Sequence, residues 1–168
     1  MKIDGLIFGG GTGDSAAAVF RLCEGIEPVI REREEVPRSH IDQSLSGRAA
    51  PVVRRLGLAE KMDVMANPIR HGGRVYGTNA TNSWYVKVSS RAQNTELSDS
   101  TTWPVRRSDF DAMMLKEAEA RGATIMQGVA TGALRNIDGS LRAIAMHRPH
   151  GTEEEIETRM VLDCSGQH

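Results

Sequence analysis

A chain of 168 residues with 39% hydrophobic and 26% charged side chains has the balance of one soluble globular domain with a real core. A formal net charge of −1 excludes a general affinity for nucleic acid or anionic membrane. No apolar run has the length needed to span a bilayer, and Asp4, the glycines up to Gly13 and Asp14 break any signal-peptide core. The two cysteines, Cys23 and Cys164, and the five histidines fall at no metal or redox spacing. No metal is therefore expected, and both thiols should be buried and free in a reducing, cytoplasmic setting.

Taken in order, Lys2–Phe8 reads as a short buried strand. Gly9 to Gly13 then turns the chain, and Ser15–Glu24 carries Ala16, Ala17, Val19, Phe20 and Cys23 at helical spacing. Gly25 stops that helix, and Pro28-Val29-Ile30 opens a second strand ending in Arg31, Glu32 and Arg33. This is a βαβ beginning. Pro37–Ser46 reads as loop, Pro51–Met62 as one helix, Ile69–Val88 as irregular strands and Ser89–Thr102 as a polar loop. Asp109–Arg121 reads as a helix capped by Ser108, with Phe110, Met113, Met114 and Ala118 inward. Thr124–Thr131, Gly132–Ile137, Ser140–Arg148 and Glu155–Leu162 read as strands, with Asp138-Gly139 as a two-residue hairpin turn and His150-Gly151 as a second turn. The result is an antiparallel meander leading into a buried strand at Met160-Val161-Leu162. Glu153-Glu154-Glu155 reads as a solvated strand edge.

The first turn carries the chemistry. A glycine turn after a strand and before a helix lets backbone approach a diphosphate, and the helix start offers free N–H groups to it. An acid closing the second strand accepts hydrogen bonds from ribose hydroxyls. Gly9 and Gly11 take the first two glycine places and Glu32 that of the acid. Asp14 stands where the third glycine belongs. A second register, Gly11-x-Gly13-x-x-Ala16, also satisfies the pattern. At about 5 Å and an effective dielectric near 20, the Asp14 charge would oppose a diphosphate charge by roughly 3 kcal/mol, which weakens binding about a hundredfold. Two readings stand side by side: Gly11, Thr12, Gly13, Asp14 and Ser15 form a dinucleotide cradle, or Asp14 simply caps the helix.

Several segments in order carry a resemblance: DGLIFGGGTGDSAAA, VIRERE, PRSHIDQSL, RRLGLAEKM, WPVRRSDFDAMMLKEAEARGATI, DGSLRAIAM and VLDCSGQH. Together they resemble the flavin-dependent monooxygenase and halogenase superfamily, the group of para-hydroxybenzoate hydroxylase and the tryptophan halogenases. The resemblance implies an α/β, Rossmann-like FAD/NAD(P)-binding domain with a β-meander, incomplete at its C-terminus. It implies FAD as cofactor and NAD(P)H as a possible reductant. Residues 1–168 would be the N-terminal portion of an FAD-binding domain, with a polar insertion at about 63–104 and no substrate domain. A C-terminal half or a partner chain would complete the site.

By this likeness Arg38 and Ser44 would lie near the flavin, Arg107 would touch the cofactor, and Asp163 and Gly166 would meet the dinucleotide at a strand end. Glu32 and Arg33 close the second strand beside it. Arg38 also reads as a solvated loop charge, Arg107 as a helix cap or ion pair, and Asp163 as a strand terminator. The family's loop glycine and acid are Asp42 and Gln43 here, and Tyr85 follows Trp84 where halogenase-like members carry glycine. Lys87 reads as an exposed strand lysine and Trp103 as core or flavin-adjacent packing. No catalytic residue is assigned, because the cofactor carries the reaction. The leading reading is the FAD-binding portion of a monooxygenase-like or halogenase-like oxidoreductase. The alternatives are a non-catalytic nucleotide-binding scaffold and a plain NAD-binding domain. Glu32 argues against NADP, and the meander argues against a plain NAD domain.

Overall fold

Apolar runs and glycines set the opening elements of the computed structural model, which describes residues 2–39, 41–45, 47–65, 67–91, 97–148 and 151–166. The first run forms β1 (Lys2–Phe8), the glycine turn follows, and α1 (Thr12–Cys23) leads to β2 (Pro28–Glu32), buried at all five positions. Next come β3 (Gln43–Ser44), α2 (Ala49–Arg55), α3 (Ala59–Val64), β4 (Gly72–Tyr76), β5 (Ser83–Lys87), β6 (Ser89–Arg91), β7 (Leu97–Asp99) and β8 (Pro104–Val105). The chain ends in α4 (Arg107–Ala120), β9 (Thr124–Gln127), β10 (Val129–Arg135), β11 (Leu141–His147) and β12 (Glu153–Asp163).

The chain divides into two compact units, residues 1–39 with 108–168, and residues 40–107. In the first, six strands run in the order β10-β11-β12-β1-β2-β9. The four from β12 to β9 are parallel, and β10, β11 and β12 pair antiparallel. β12 serves both halves: Glu153–Glu157 pairs with β11, and Glu157–Asp163 with β1. β9 and β10 lie on opposite edges, yet Gly128 alone separates them. The sheet therefore curls until its edges approach. Leu6, Val29, Ile144, Met146 and Ile156 fill the inside of the curl, with Phe8, Met126 and Val161 packed against them. At about 25 cal/mol per Å² of apolar surface, each such side chain contributes roughly 1.5–3 kcal/mol.

The second unit contains the polar stretch from about 63 to 104. Its sheets are two-stranded pairs: β3 with β8, β4 with β5, and β6 with β7. Ala50, Val53, Leu56, Leu58, Met62, Trp103 and Val105 are buried. The Arg54 guanidinium lies 4.9 Å over the Trp103 ring, a cation–π contact, so Trp103 is a core residue of this unit.

The elements differ from the sequence expectation in five places. The helix expected over Pro51–Met62 is two helices, because Gly57 parts α2 from α3 and buried Leu56 and Leu58 anchor the break. Polar segments expected as loop carry β3, β6 and β7. Ser108 lies within α4 and donates to Asp109 rather than capping. The strand expected over Thr124–Thr131 breaks at Gly128, where a Cβ would stand 3.2 Å from the His147 carbonyl. At Asp138-Gly139 the turn is longer than two residues: Asn136 N–H donates to the Ser140 carbonyl and Gly139 N–H to the Asn136 carbonyl. The turn expected at His150-Gly151 includes His150, which lies outside the described residues; Gly151 N–H donates to the Arg148 carbonyl. Met160, Val161 and Leu162, expected buried, are half-buried. Cys23 is exposed and Cys164 half-buried, so the expectation of buried thiols fails. Among the described residues no helix is long and apolar enough to cross a membrane.

Candidate functional site

The register of the parallel strands builds the site. Phe8 pairs with Arg31 on one side and Asp163 on the other, so β12, β1 and β2 end together. Gly9 N–H donates to the Arg31 carbonyl (2.9 Å), and Cys164 N–H to the Phe8 carbonyl (3.0 Å). The glycine turn thus emerges between the Asp163 and Glu32 strand ends, and α1 starts from it. A crevice beyond the carboxyl ends of parallel strands is where open α/β sheets bind ligands.

A cavity of about 430 Å³ opens there, lined by Gly9, Arg31, Glu32, Arg33, Arg38, Asp163, Ser165 and residues 128–133, with Phe8, Ile144 and Val161. That is within the range of small-molecule sites, roughly 300–1,000 Å³. Glu32 is 4% exposed. Its Oε1 accepts from Arg38 Nη1 (3.0 Å) and from Glu34 N–H (2.9 Å). Its Oε2 is buried and accepts no hydrogen bond. A Cβ on Gly10 would sit 2.6 Å from that oxygen, so glycine there leaves room for the acid. A buried carboxylate oxygen without a donor is costly, and a ribose hydroxyl is the donor this position suits.

The start of α1 is occupied from within. Asp14 is 1% exposed, and its Oδ2 accepts from Gly11 N–H at 2.7 Å. Burial pushes its carboxyl above the ordinary aspartate range. Hydrogen bonds from the amides of Gly11, Asp14 and Ser15 pull the other way, and the Glu32 charge adds to the rise. Thr12 Oγ1 donates to Asp111 Oδ1 at 2.6 Å, which ties α1 to α4. Gly13 is exposed, and Ser15 is buried with an Oγ that makes no hydrogen bond. Asp163 Oδ1 accepts from Ser165 N–H and Oγ, which closes the turn before Gly166. Arg33 is exposed and pairs with Glu34 at 3.2 Å.

Gly9, Gly11, Thr12, Asp14, Ser15, Glu32, Arg33, Arg38 and Asp163 therefore gather at one strand-end cluster of the first unit. Ser44 and Arg107 belong to the second unit. There Ser44 Oγ accepts from Arg70. Arg107 Nη1 donates to Gln43 Oε1 at 3.0 Å, and its N–H to Asp42 Oδ1 at 3.3 Å. The two departures from the family loop pattern, Asp42 and Gln43, are thus the partners of Arg107.

Sequence reasoning missed two features. Asp111, buried on α4, holds the Thr12 hydroxyl; an acid within the apolar stripe of a helix was the available signal. Arg31 is the largest fully buried side chain. It donates to the Gln127 carbonyl (3.2 Å) and to Glu154 Oε1 (2.5 Å), and Arg148 holds the other Glu154 oxygen. The expectation of a solvated edge at Glu153–Glu155 therefore fails at Glu154, while Glu153 and Glu155 are exposed. A cation inside the strand Val29-Ile30-Arg31-Glu32 was the signal, since buried charge requires a partner.

Comparison with known proteins agrees with this geometry. A family model described as FAD binding domain matches residues 2–168. A 1H-pyrrole-2-carbonyl-[peptidyl-carrier protein] brominase of Pseudoalteromonas luteoviolacea is 30% identical over 165 residues, covering 98% of this chain and 38% of that protein. A tryptophan 2-halogenase of Chondromyces crocatus is 27% identical, covering 96% of this chain and 30% of that protein. Among solved structures, the flavin-dependent brominase Bmp2 superposes with a TM-score of 0.85 at 29% identity, over 99% of this chain and 39% of its own. The myxobacterial chondrochloren halogenase CndH gives 0.84 at 25% identity, over 98% and 37%. The chain thus spans well under half the length of these relatives.

Proposed function

The chain belongs to the FAD binding domain family, and on that premise we propose that its strand-end cavity holds the adenosine diphosphate end of FAD within a halogenase-like flavoenzyme. The observation that carries this reading is that Glu32 lines the cavity and its Oε2 is buried without a hydrogen-bond donor. Gly9 and Gly10 bring backbone to the same place, and Arg38 fixes the other Glu32 oxygen so that the free one keeps its orientation. FAD, when bound, supplies the redox chemistry. The residues of this chain bind its sugar and phosphates. We further propose that residues 1–168 are the N-terminal portion of the FAD-binding domain, and that further polypeptide supplies the substrate pocket. The relatives' pyrrole and tryptophan halogenations support oxidation of halide as the whole protein's reaction class.

Titration calorimetry with FAD, ADP and NAD tests the reading. Glu32→Gln keeps the side-chain volume and removes the charged acceptor, so FAD affinity should fall about tenfold to a hundredfold, the value of one hydrogen bond to a charged group. ADP should lose the same factor, because the contact is to its ribose. Equal affinity in the variant would overturn the assignment. A second reading, a nucleotide-binding scaffold without catalysis, draws on one observation: Asp14 takes up the amides that a diphosphate needs.

A further inference from the structure

Helix starts bind anions because their first amides lack partners. Here the first turn of α1 already has its anion. Asp14 Oδ2 accepts from Gly11 N–H at 2.7 Å and lies 2.4 Å from where a Cβ on Gly9 would be. The carboxylate therefore sits inside the glycine turn, against Gly9 and Gly11 at the end of β1. Two more polar atoms around it lack partners: the buried Ser15 Oγ in the same turn, and the buried Glu32 Oε2 across the turn. The turn is thus built for a ligand and filled by a side chain of the protein.

We propose that Asp14 is the affinity-setting residue of this site: its carboxylate competes with a ligand's diphosphate for the amides of the first turn, so that dinucleotide binding takes up a proton. The proposal rests on the dinucleotide reading above. A negative diphosphate and a negative Asp14 cannot share those amides without close like-charge contact. Protonated, Asp14 loses its repulsion and most of its hold on Gly11 N–H, and the amide is free for phosphate oxygen. The groups around Asp14 reinforce this. Burial, and after it the charge of Glu32 on β2, raises its carboxyl; the Cys164 thiol beyond β12 is raised by burial first, then by the charges of Asp14 and Asp163. From α4, Asp111 holds the neighbouring Thr12 hydroxyl. Burial already favours the neutral acid, so a bound diphosphate moves an equilibrium that the fold has biased.

The experiment is FAD binding by calorimetry between pH 4.5 and 8, with the intact chain and two variants, Asp14→Asn and Asp14→Gly. The FAD diphosphate does not titrate in this range. The unsubstituted chain should lose affinity as pH rises, by up to about tenfold per pH unit at the steepest point. Both variants should bind with little pH dependence, and about tenfold or more tighter at pH 8. Calorimetry in buffers of different ionisation enthalpy should report proton uptake by the unsubstituted chain and none by the variants. Parallel pH profiles in all three proteins, with FAD bound, overturn the role of Asp14 and leave the cofactor assignment standing. Failure of all three to bind FAD at any pH overturns that assignment, and this inference with it.

Discussion

Glu154→Ala is expected to destabilise the chain by about 3 kcal/mol, the lower end of what breaking a buried ion pair costs. The Arg31 side chain is 1% exposed and its Nε makes no hydrogen bond. Without Glu154, its remaining acceptor is the Gln127 carbonyl at 3.2 Å, and a buried charge with a single neutral acceptor is poorly compensated. Glu154 is 15% exposed, which admits some water and keeps the cost below the top of the range. The pH dependence follows from its titration. Hydrogen bonding from Arg148, then the charge of Arg31, holds the Glu154 carboxyl below its ordinary value of 4.5 against the opposing effect of burial. A carboxylate lowered in the folded state contributes its full stabilisation above the unfolded value and loses it as pH falls through the folded one. The gap between Glu154→Ala and the unsubstituted chain should therefore be widest near neutrality and should narrow in acid below about pH 4.5. Urea unfolding at pH 7 and pH 4 measures both. A double variant, Arg31→Met with Glu154→Leu, should recover most of the loss, because an apolar pair of similar volume replaces a buried ion pair at little cost. A gap near zero at pH 7 would mean that Arg31 finds water or another acceptor.

Gly9→Ala should be comparably severe, and for a different reason. Gly9 has φ 117°, a conformation that side chains with a Cβ rarely adopt, at a cost of about 1–3 kcal/mol. The new Cβ would also lie 2.4 Å from Asp14 Oδ2 and 3.0 Å from the Cys164 carbonyl oxygen. The first atom ends a side chain and can shift; the second is backbone held by the Cys164 N–H bond to Phe8. We expect a loss of about 2–4 kcal/mol on folding and a loss of FAD binding. In an Asp14→Gly background the Asp14 overlap vanishes while backbone strain and the Cys164 contact remain, so the penalty should shrink without disappearing. Thermal unfolding of the four proteins separates the two contributions. A penalty below about 0.5 kcal/mol would show that the turn is not held as described.

What the sequence made legible was local. Strand, glycine turn, helix and strand follow from apolar runs and turn residues within some thirty positions, and the spacing from Gly9 to Glu32 placed the acid. The features it hid depend on partners far along the chain. Thr12 meets Asp111 across 99 positions, and Arg31 meets Glu154 across 123. Nothing near Glu154 distinguishes it from its two exposed neighbours until β12 is registered against β11. The break at Gly128 was hidden likewise, because β-forming residues continue through it and only strand pairing decides that Gln127 and Val129 serve opposite edges. The length of the turn at Asp138-Gly139 is not set by the dipeptide, which suits more than one turn type. Closure by Asn136 and Ser140 decides between them.

The place of β12 between β11 and β1 has a consequence for how this polypeptide comes into being. As it leaves the ribosome, β1 can pair with β2, and β2 with β9, while the other flank of β1 stays open until Glu157–Asp163 has been translated. Val161, Asp163 and Ser165 join the lining of the cavity only when that strand inserts. Such far-separated pairing slows folding, and the waiting flank of β1 is a sheet edge that invites wrong partners during synthesis.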